Sequence, residues 1–99
     1  MFMKIHINQK SKIIAVCDES LIGHILKDKE IFMDLDKYRS FYIGEKVSAV
    51  QVKKELKGSF VSVNLVGEES VAAAIDAGVA HEQDILYVKK IPYIQIYRI

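Results

Sequence analysis

The sequence predicts an α+β fold, in which one compact domain holds a mixed sheet of about five to six strands and three short helices. The 99 residues form a single domain, residues 1–99, and 51% of them are hydrophobic, which is enough for one core. Within one stretch, Ser59–Val79, the apolar pattern changes from the period of a strand to that of a helix. Strands and helices are therefore expected to alternate along the chain.

The stretch Ser59–Val79 is predicted to begin as a buried strand. Its apolar residues alternate with their neighbours at period two. These residues are Val61, Val63 and Leu65. The pattern changes at Gly67, after which apolar residues recur at helical spacing. They are Val71, Ala72, Ile75 and Val79. Gly78 is expected to end this helix, because glycine adopts the left-handed conformation common at helix ends.

The beginning of the chain is predicted to be a β-hairpin. Alternating apolar residues indicate strands at Phe2–Asn8 and Lys12–Cys17, with a polar turn between them. Asp18 is a favourable N-cap for a first helix, whose apolar residues at positions 21, 22, 25 and 26 share one face. Gly23 weakens that helix by up to about 1 kcal/mol relative to alanine, so a short helix is expected.

The middle of the chain is predicted to hold a third strand and a second helix. The strand is expected at Glu30–Asp36, followed by a loop over residues 36–40. The helix begins after Ser48, which forms a capping box with Gln51, and it ends at Gly58. Its core-facing residues are expected to be Ala49, Val52 and Leu56.

The end of the chain is predicted to be strand-rich. A turn at His81–Gln83 leads to a strand at Ile85–Val88, and a last strand at Tyr93–Ile99 follows Pro92. Proline suits the first residue of a strand. The complete expected order is β-β-α-β-α-β-α-β-β.

The strand–glycine–helix unit around Gly67 raises the question of a phosphate site, because free N–H groups at a helix start bind anions. Glu68 and Glu69 occupy the first turn of the helix and would repel a second anion. No Gly-x-Gly-x-x-Gly or Gly-Lys-Ser/Thr motif is present. The sequence therefore favours a helix cap at Gly67 over a phosphate cradle.

Composition excludes several classes of protein. The single cysteine rules out an internal disulfide and is typical of a reducing compartment. No uncharged apolar run approaches the ~18 residues of a membrane span, and strand-like sequence with Lys4 and His6 follows Met1 where a leader would lie. A cytoplasmic protein without a membrane partner is expected.

The charge is distributed in blocks although the net charge is only +1. Lysine and arginine dominate residues 1–17, 37–58 and 89–99, whereas acids dominate residues 18–36 and 59–88. Mixed charge on a solvated surface is one interpretation. The other is a surface with two poles, which requires the basic segments to meet in space.

Cys17 is the weak catalytic candidate, with His24 as its base. A thiol at the junction of a strand and a helix has a lowered pKa in some enzymes. Asp18 and Glu19 oppose thiolate formation, however, and a buried cysteine behaves as a small hydrophobic residue. The second interpretation is favoured, so the sequence leans towards a protein that is not an enzyme.

No metal site or cofactor is expected from the sequence. His6, His24 and His81 have no metal-site spacing. Asp34 and Asp36 share one face of a strand, but no third oxygen ligand is evident nearby, so a solvated face is favoured.

A nucleic-acid interface is the main alternative to a plain solvated surface. Tyrosines on the outward face of the last strand, near a base, can stack on single-stranded nucleic acid, although tyrosine is also a good strand residue. Lysines on the second helix repel one another slightly, and a phosphate backbone would explain them as well as solubility does. The candidates are Arg39, Lys46, Lys53, Lys54, Lys57, Tyr93 and Tyr97.

Several short segments, in order, carry a resemblance. They are Ala15–Glu19 with Leu21–Gly23, then Phe41–Gly44, Asn64–Gly67, Ala74–Gly78 and Ile91-Pro92 ahead of Gln95. Their order and spacing resemble the domain of unknown function 424 family, small archaeal proteins, over nearly the whole chain. The resemblance implies an archaeal cytoplasmic protein of about this length and carries over no catalytic roles.

Three hypotheses for function remain open. The first is a small cytosolic binding module without catalysis, whose partner is an RNA or a protein of the translation apparatus. The second is a small enzyme that uses Cys17 and His24. The third is a homodimer with a structural role, because the hydrophobic content is high for the length.

Overall fold

A six-stranded mixed sheet lies at the centre of the computed structural model, which describes residues 1–98. The strands are β1 (Phe2–Asn8), β2 (Ser11–Cys17), β3 (Ile25–Lys27), β4 (Phe32–Asp34), β5 (Glu45–Lys46), β6 (Ser62–Val66), β7 (Leu86–Val88) and β8 (Ile91–Tyr97). The helices are α1 (Arg39–Tyr42), α2 (Ala49–Leu56) and α3 (Glu68–Asp76). Single 3₁₀ turns lie at Glu19–Leu21 and Glu82–Asp84. Ile99, which the predicted last strand includes, lies outside the described residues.

The strand order in the main sheet is β5-β1-β2-β6-β8-β7, and β3 and β4 form a separate two-stranded sheet. The one parallel pair among these strands is β2 with β6, in which Ile14 lies opposite Val63. All other pairs are antiparallel, including the β1–β2 hairpin expected from the sequence. The predicted α+β fold with a mixed sheet and three short helices is confirmed. The order of elements differs from the expected one, because β3, β4, α1 and β5 lie where one helix, one strand and a loop are predicted.

The sheet is covered on both faces. On one face, α2 and α3 pack over a core that includes Ile14, Val63 and Leu65, each fully buried. On the other face, the β3–β4 hairpin and α1 cover a second cluster around Ala15 and Cys17. Because β2 is covered on both faces, it is apolar without interruption from Ile13 to Cys17. β6 keeps an alternating pattern, with Ser62 and Asn64 between its apolar residues.

The prediction of a helix after Asp18 is wrong. One 3₁₀ turn follows Asp18, and the chain then turns back into β3, where Ile25 is exposed and Leu26 is buried. Gly23, at φ +92°, breaks the helical path, and its N–H donates to the carbonyl of Leu35. The apolar spacing at positions 21–26 fits a helix, but hydrogen bonds to the next segment override it.

The predicted third strand is confirmed only in part. It is shorter than expected, at Phe32–Asp34, and it pairs with β3 in place of the main sheet. The expected loop at residues 36–40 contains the start of α1 at Arg39. The predicted inward positions Val61, Ala49 and Ala72 are exposed, because each lies at the margin of a buried face.

Helix boundaries are predicted well where they depend on local chemistry. Ser48 and Gln51 form the expected capping box, in which the Ser48 hydroxyl accepts from the Gln51 N–H. Gly78 follows the last turn of α3 with φ +76°, as predicted for a glycine that ends a helix.

Candidate nucleic-acid interface

The two ends of the sheet differ in charge. Four carboxylates lie at one end, where Lys46, Lys89 and Lys90 partly offset them, and lysine and arginine predominate at the other end. Because β2 and β6 run parallel, their carboxyl ends lie together, and the antiparallel β8 begins beside them. We call this the acidic end, and its carboxylates are Asp18, Glu19, Glu68 and Glu69. The opposite end, where β2 and β6 begin and β8 finishes, we call the basic end. Its cations are Lys10, Lys12, Lys53, Lys54, Lys57 and Arg98.

At the acidic end, the N-terminus of α3 already holds an anion that belongs to the protein. The carboxylate of Asp18, which is 7% exposed, accepts hydrogen bonds from the Glu69 N–H at 3.0 Å and the Ser70 N–H at 2.8 Å. The Ser70 hydroxyl donates to the same carboxylate at 2.7 Å. Asp18 thus caps α3, the third helix, and not a helix that directly follows it.

Gly67 is the N-cap residue of α3 and has φ +108°. A Cβ atom at this position would overlap the carboxyl group of Asp18. Glycine is therefore required both by the backbone conformation and by the close approach of Asp18. The prediction that Gly67 belongs to a helix cap agrees with this geometry, since the space that a phosphate would need is filled by Asp18.

The basic end is built by three elements that converge. The start of β2 contacts α2 through an ion pair between Lys12 and Glu55. The loop after α2 pairs with the start of β2, since the Val61 N–H donates to the Lys12 carbonyl at 2.8 Å. The end of β8 joins them, because the Arg98 N–H donates to the Val61 carbonyl at 2.8 Å.

Arg98 fixes this arrangement at the end of α2. Its guanidinium carbon lies 3.7 Å from the centre of the Phe60 ring, and its Nη1 donates to the Gly58 carbonyl at 3.1 Å. A cation over an aromatic face is attracted by the ring quadrupole. A recess of about 210 Å³ lies beside it, with Lys10 and Lys12 among its lining residues.

The charge of the basic end is poorly neutralised. Glu55 pairs with Lys12, and no carboxylate among residues 1–98 forms an ion pair with the other five cations. Of these five, Lys53 is half-buried and the others are exposed. Five cations that have no ion-pair partner among residues 1–98 create a positive potential at one end of the protein, and this potential attracts anions.

Two of the predicted basic residues lie elsewhere. Arg39 is in α1, on the face of the sheet opposite α2, and forms an ion pair with Asp36. Lys46 lies at the acidic end, where its Nζ is 3.1 Å from a carboxylate oxygen of Glu19. Of the basic candidates between Arg39 and Lys57, the fold therefore brings only the three lysines of α2 to the basic end.

The predicted tyrosine pair is also separated. Tyr97 is 71% exposed, next to Arg98, whereas Tyr93 is 8% exposed and belongs to the second core cluster. Both side chains point to the same face of β8, but the β3–β4 hairpin layer covers that face only at the Tyr93 end. The outward position predicted for Tyr93 is wrong, and its buried ring is not available for stacking.

Cys17 is fully buried, and its Sγ donates to the Asp18 carbonyl at 3.4 Å. Burial, and secondly the charge of Asp18, raise the pKa of the thiol to about 12. His24 is exposed, and no hydrogen bond joins it to Cys17 within residues 1–98. A buried thiol with a raised pKa is a poor nucleophile, so this geometry does not favour the weak candidate pair as a catalytic site.

His6 and Asp34, which are candidates for a metal site by residue type, both contact neighbouring groups of the protein. His6 stacks on Phe41, with the ring centres 4.5 Å apart. Asp34 accepts hydrogen bonds from the N–H groups of Asp36 and Lys37. Within residues 1–98, no three His, Cys, Asp or Glu side chains come together in a way that could hold a metal ion.

Lys10 and Lys12 belong to the basic end but were not identified from the sequence as binding residues. They lie about 40 residues before α2, so only the strand pairing brings the two regions together. The signal that points to them is the block of lysines in residues 1–17, which has no acidic residue. Lys89 and Lys90 come from another basic block, but their turn between β7 and β8 lies at the acidic end.

No helix among residues 1–98 has the length and apolar character needed to cross a membrane. A family model described as "Protein of unknown function (DUF424)" matches residues 5–99. A crystal structure of an uncharacterized conserved protein from Methanopyrus kandleri is similar, with a TM-score of 0.80 and 26% sequence identity. The match covers 97% of this chain and 89% of that one. None of the curated proteins matches the chain.

Proposed function

The chain belongs to the DUF424 family, proteins of unknown function, and from this premise we propose that it is a small binding module without catalysis whose partner is RNA. The observation that carries the proposal is the convergence, at the basic end, of five cations that pair with no carboxylate of the described residues 1–98. Phosphate contacts by lysine and arginine supply most of the affinity in such complexes, because bound counterions are released. We propose that this RNA partner belongs to the translation apparatus.

Helix stability is a competing explanation for part of the cluster. Positive charge near the carboxyl end of a helix interacts favourably with the helix dipole, and this applies to Lys53, Lys54 and Lys57. It applies also to Arg98, whose Nη1 donates to the Gly58 carbonyl just after the end of α2, but not to Lys10, which comes from a hairpin turn. An anionic ligand accounts for all five.

The remainder of the molecule is consistent with a binding module. The helix N-terminus that would suit a phosphate is filled by Asp18, so an external anion has a better position at the opposite end. The burial and raised pKa of Cys17 weigh against the enzyme hypothesis. A cytoplasmic location is part of the proposal, because an RNA partner requires it.

The experiment is a binding assay with total cellular RNA at low salt. Changing Lys53, Lys54 and Lys57 to glutamate should abolish binding, since three attractive charges become repulsive. The matched control changes Lys29, Lys89 and Lys90 to glutamate. These three lysines are also exposed, but they lie away from the basic end, so the control should retain most of the affinity.

Two results would contradict the proposal. If the parent protein binds no RNA at low salt, the partner is not RNA and a protein partner becomes the main hypothesis. If both triple variants lose binding equally, the attraction comes from the overall charge and not from the basic end.

A further inference from the structure

A second candidate site lies on the other face of the sheet, under the edge of the β3–β4 hairpin. It is a groove of about 590 Å³ between β4, α1 and β8, with aromatic side chains on several sides. We call it the aromatic groove, and its aromatic residues are Phe32, Tyr38, Phe41 and Tyr42. Phe32 is 63% exposed and Tyr38 is 55% exposed. Exposed aromatic faces on the wall of a groove are available for stacking by a planar ligand.

The cation beside the exposed rings of the aromatic groove is Lys37, and the carboxylate that lines the groove, Asp34, accepts hydrogen bonds from backbone N–H groups. The carboxylate of Asp34 is engaged by two backbone N–H groups, and Asp36 forms an ion pair with Arg39. No carboxylate among residues 1–98 pairs with Lys37, whose Nζ lies 5.5 Å from the centre of the Tyr38 ring. The groove therefore offers aromatic faces and one uncompensated cation side by side.

Polar groups that can recognise the edge of a planar ligand are also present. Gln95 is exposed and lines the aromatic groove. Asn64 lies directly opposite Gln95 in the β6–β8 pairing and is half-buried. Neither side-chain amide makes a hydrogen bond within residues 1–98, so the donor and the acceptor of each remain free for a ligand.

The aromatic groove is connected to the basic end along β8. Gln95 and Tyr97 point to the same face of that strand, about 7 Å apart. Tyr97 is exposed and precedes Arg98, which belongs to the basic end. A flexible strand of nucleic acid that contacts the basic end through phosphates could therefore follow β8 into the groove.

We propose that the aromatic groove binds an unpaired nucleobase of single-stranded RNA, which stacks on Tyr38 while Gln95 hydrogen-bonds its edge. This inference rests on the RNA partner proposed above and defines it as single-stranded. Stacking on aromatic side chains and hydrogen bonds to exposed base edges are how proteins recognise unpaired RNA. A duplex does not fit, because its bases are stacked on one another and are not available to the groove.

The test uses adenosine and uridine monophosphates, followed by NMR of the folded protein, with ribose 5-phosphate as the probe that lacks a base. The nucleotides should shift the signals of Tyr38 and of the Gln95 side-chain amide, and the shifts should saturate. Ribose 5-phosphate should leave both signals unchanged. If it shifts them equally, or if neither nucleotide does, the inference is overturned.

Variants locate the site. Replacing Tyr38 by alanine should weaken nucleotide binding at least about fivefold, as expected for one lost stacking contact. Tyr87→Ala is the matched control, since Tyr87 is 56% exposed but lies on β7, outside the aromatic groove. Equal losses in the two variants would contradict a site at this groove.

The test of the aromatic groove can succeed or fail independently of the test of the basic end. Two results together would support the base site and refute the proposed function. The first is a shift of the NMR signals at the aromatic groove on addition of nucleotide, and the second is an RNA affinity that does not change when the lysines of α2 are replaced. Salt-sensitive RNA binding without nucleotide shifts would support the proposed function and refute the base site. An equal affinity for duplex and single-stranded RNA would also count against the base site.

Discussion

The carboxylate of Asp18 accepts hydrogen bonds from both the backbone N–H and the hydroxyl of Ser70, at 2.8 Å and 2.7 Å. Asp18 follows the end of β2 and Ser70 lies in the first turn of α3, so the contact joins two elements about 50 residues apart. It places a negative charge at the positive end of the helix dipole. The strand–glycine–helix unit thus resembles a phosphate site whose anion is supplied by the chain itself.

The first prediction concerns this cap. Replacing Asp18 by alanine should lower the free energy of unfolding by about 2 kcal/mol, the upper part of the range for helix caps, because buried N–H groups lose their partner. Chemical denaturation measures the change. Glu19→Ala is the control, since Glu19 forms only an exposed ion pair with Lys46 and should stay within about 0.5 kcal/mol of the parent. Equal effects of the two changes would mean that Asp18 is not the cap.

The second prediction concerns the close approach of Gly67 to Asp18. Gly67→Ala should destabilise the protein more than Gly78→Ala, although both glycines have positive φ. The difference is expected because a Cβ at Gly67 overlaps Asp18, whereas a Cβ at Gly78 meets no atom within 4 Å.

A double-mutant cycle separates the overlap from the backbone strain. In an Asp18→Ala background, Gly67→Ala should be less destabilising than in the parent, by about 1 kcal/mol or more, because contacting residues couple. Strictly additive effects would show that the two residues do not compete for the same space.

The third prediction concerns the N-cap of α2. Ser48→Ala should lower the free energy of unfolding by about 1 kcal/mol, because the Gln51 N–H loses its acceptor. The change in denaturation midpoint at constant slope measures this effect. The exposed Ser59, which follows the same helix, provides a matched control, and its alanine variant should resemble the parent. An unchanged midpoint for Ser48→Ala would contradict the role of the capping box.

Local chemistry is what the sequence predicts best. The Ser48–Gln51 box, the glycine after α3 and the β1–β2 hairpin each depend on neighbouring residues, and all three occur. The helix expected after Asp18 does not occur, because Asp18 caps a distant helix and Gly23 pairs with Leu35. Such long-range hydrogen bonds leave no trace in the local spacing of apolar residues.

The candidate site shows the same limit. The lysines of α2 were identified because they share one helix, whereas Lys10 and Lys12 reach them only through strand pairing. Tyr93 and Tyr97 share a strand face by period two, but the sequence does not reveal that another layer covers one end of that face. Residue spacing thus gives the direction of a side chain, whereas its exposure depends on the tertiary packing.

The fourth prediction concerns the thiol of Cys17. A pKa of about 12 in place of 9.0 lowers the thiolate fraction at neutral pH by about a thousandfold. Alkylation of the folded protein at pH 7 should therefore be slow, whereas protein unfolded in urea should react at the rate of a free cysteine. Rapid labelling of the folded protein would revive the enzyme hypothesis.

The same pKa also predicts a pH dependence of stability. Because the folded-state pKa of the thiol lies above its unfolded value, the stabilising contribution is complete below pH 9 and is lost as the pH rises towards 12. Cys17→Ala should lack this component, so the difference in stability between parent and variant should change over that window. A constant difference from pH 7 to 11 would contradict the raised pKa.

The fifth prediction concerns the basic end, and the most direct measurement is the salt dependence of the affinity for single-stranded RNA. For the parent, the logarithm of the binding constant should fall linearly with the logarithm of salt concentration, by about 0.7 for each phosphate contacted. Changing the exposed Lys54 and Lys57 to alanine should make the slope shallower by about 1.4. The same substitutions at Lys89 and Lys90, which are exposed and lie at the acidic end, should leave the slope unchanged. An identical slope in the Lys54 and Lys57 variant, or a parent affinity that does not respond to salt, would contradict RNA binding at this end of the sheet.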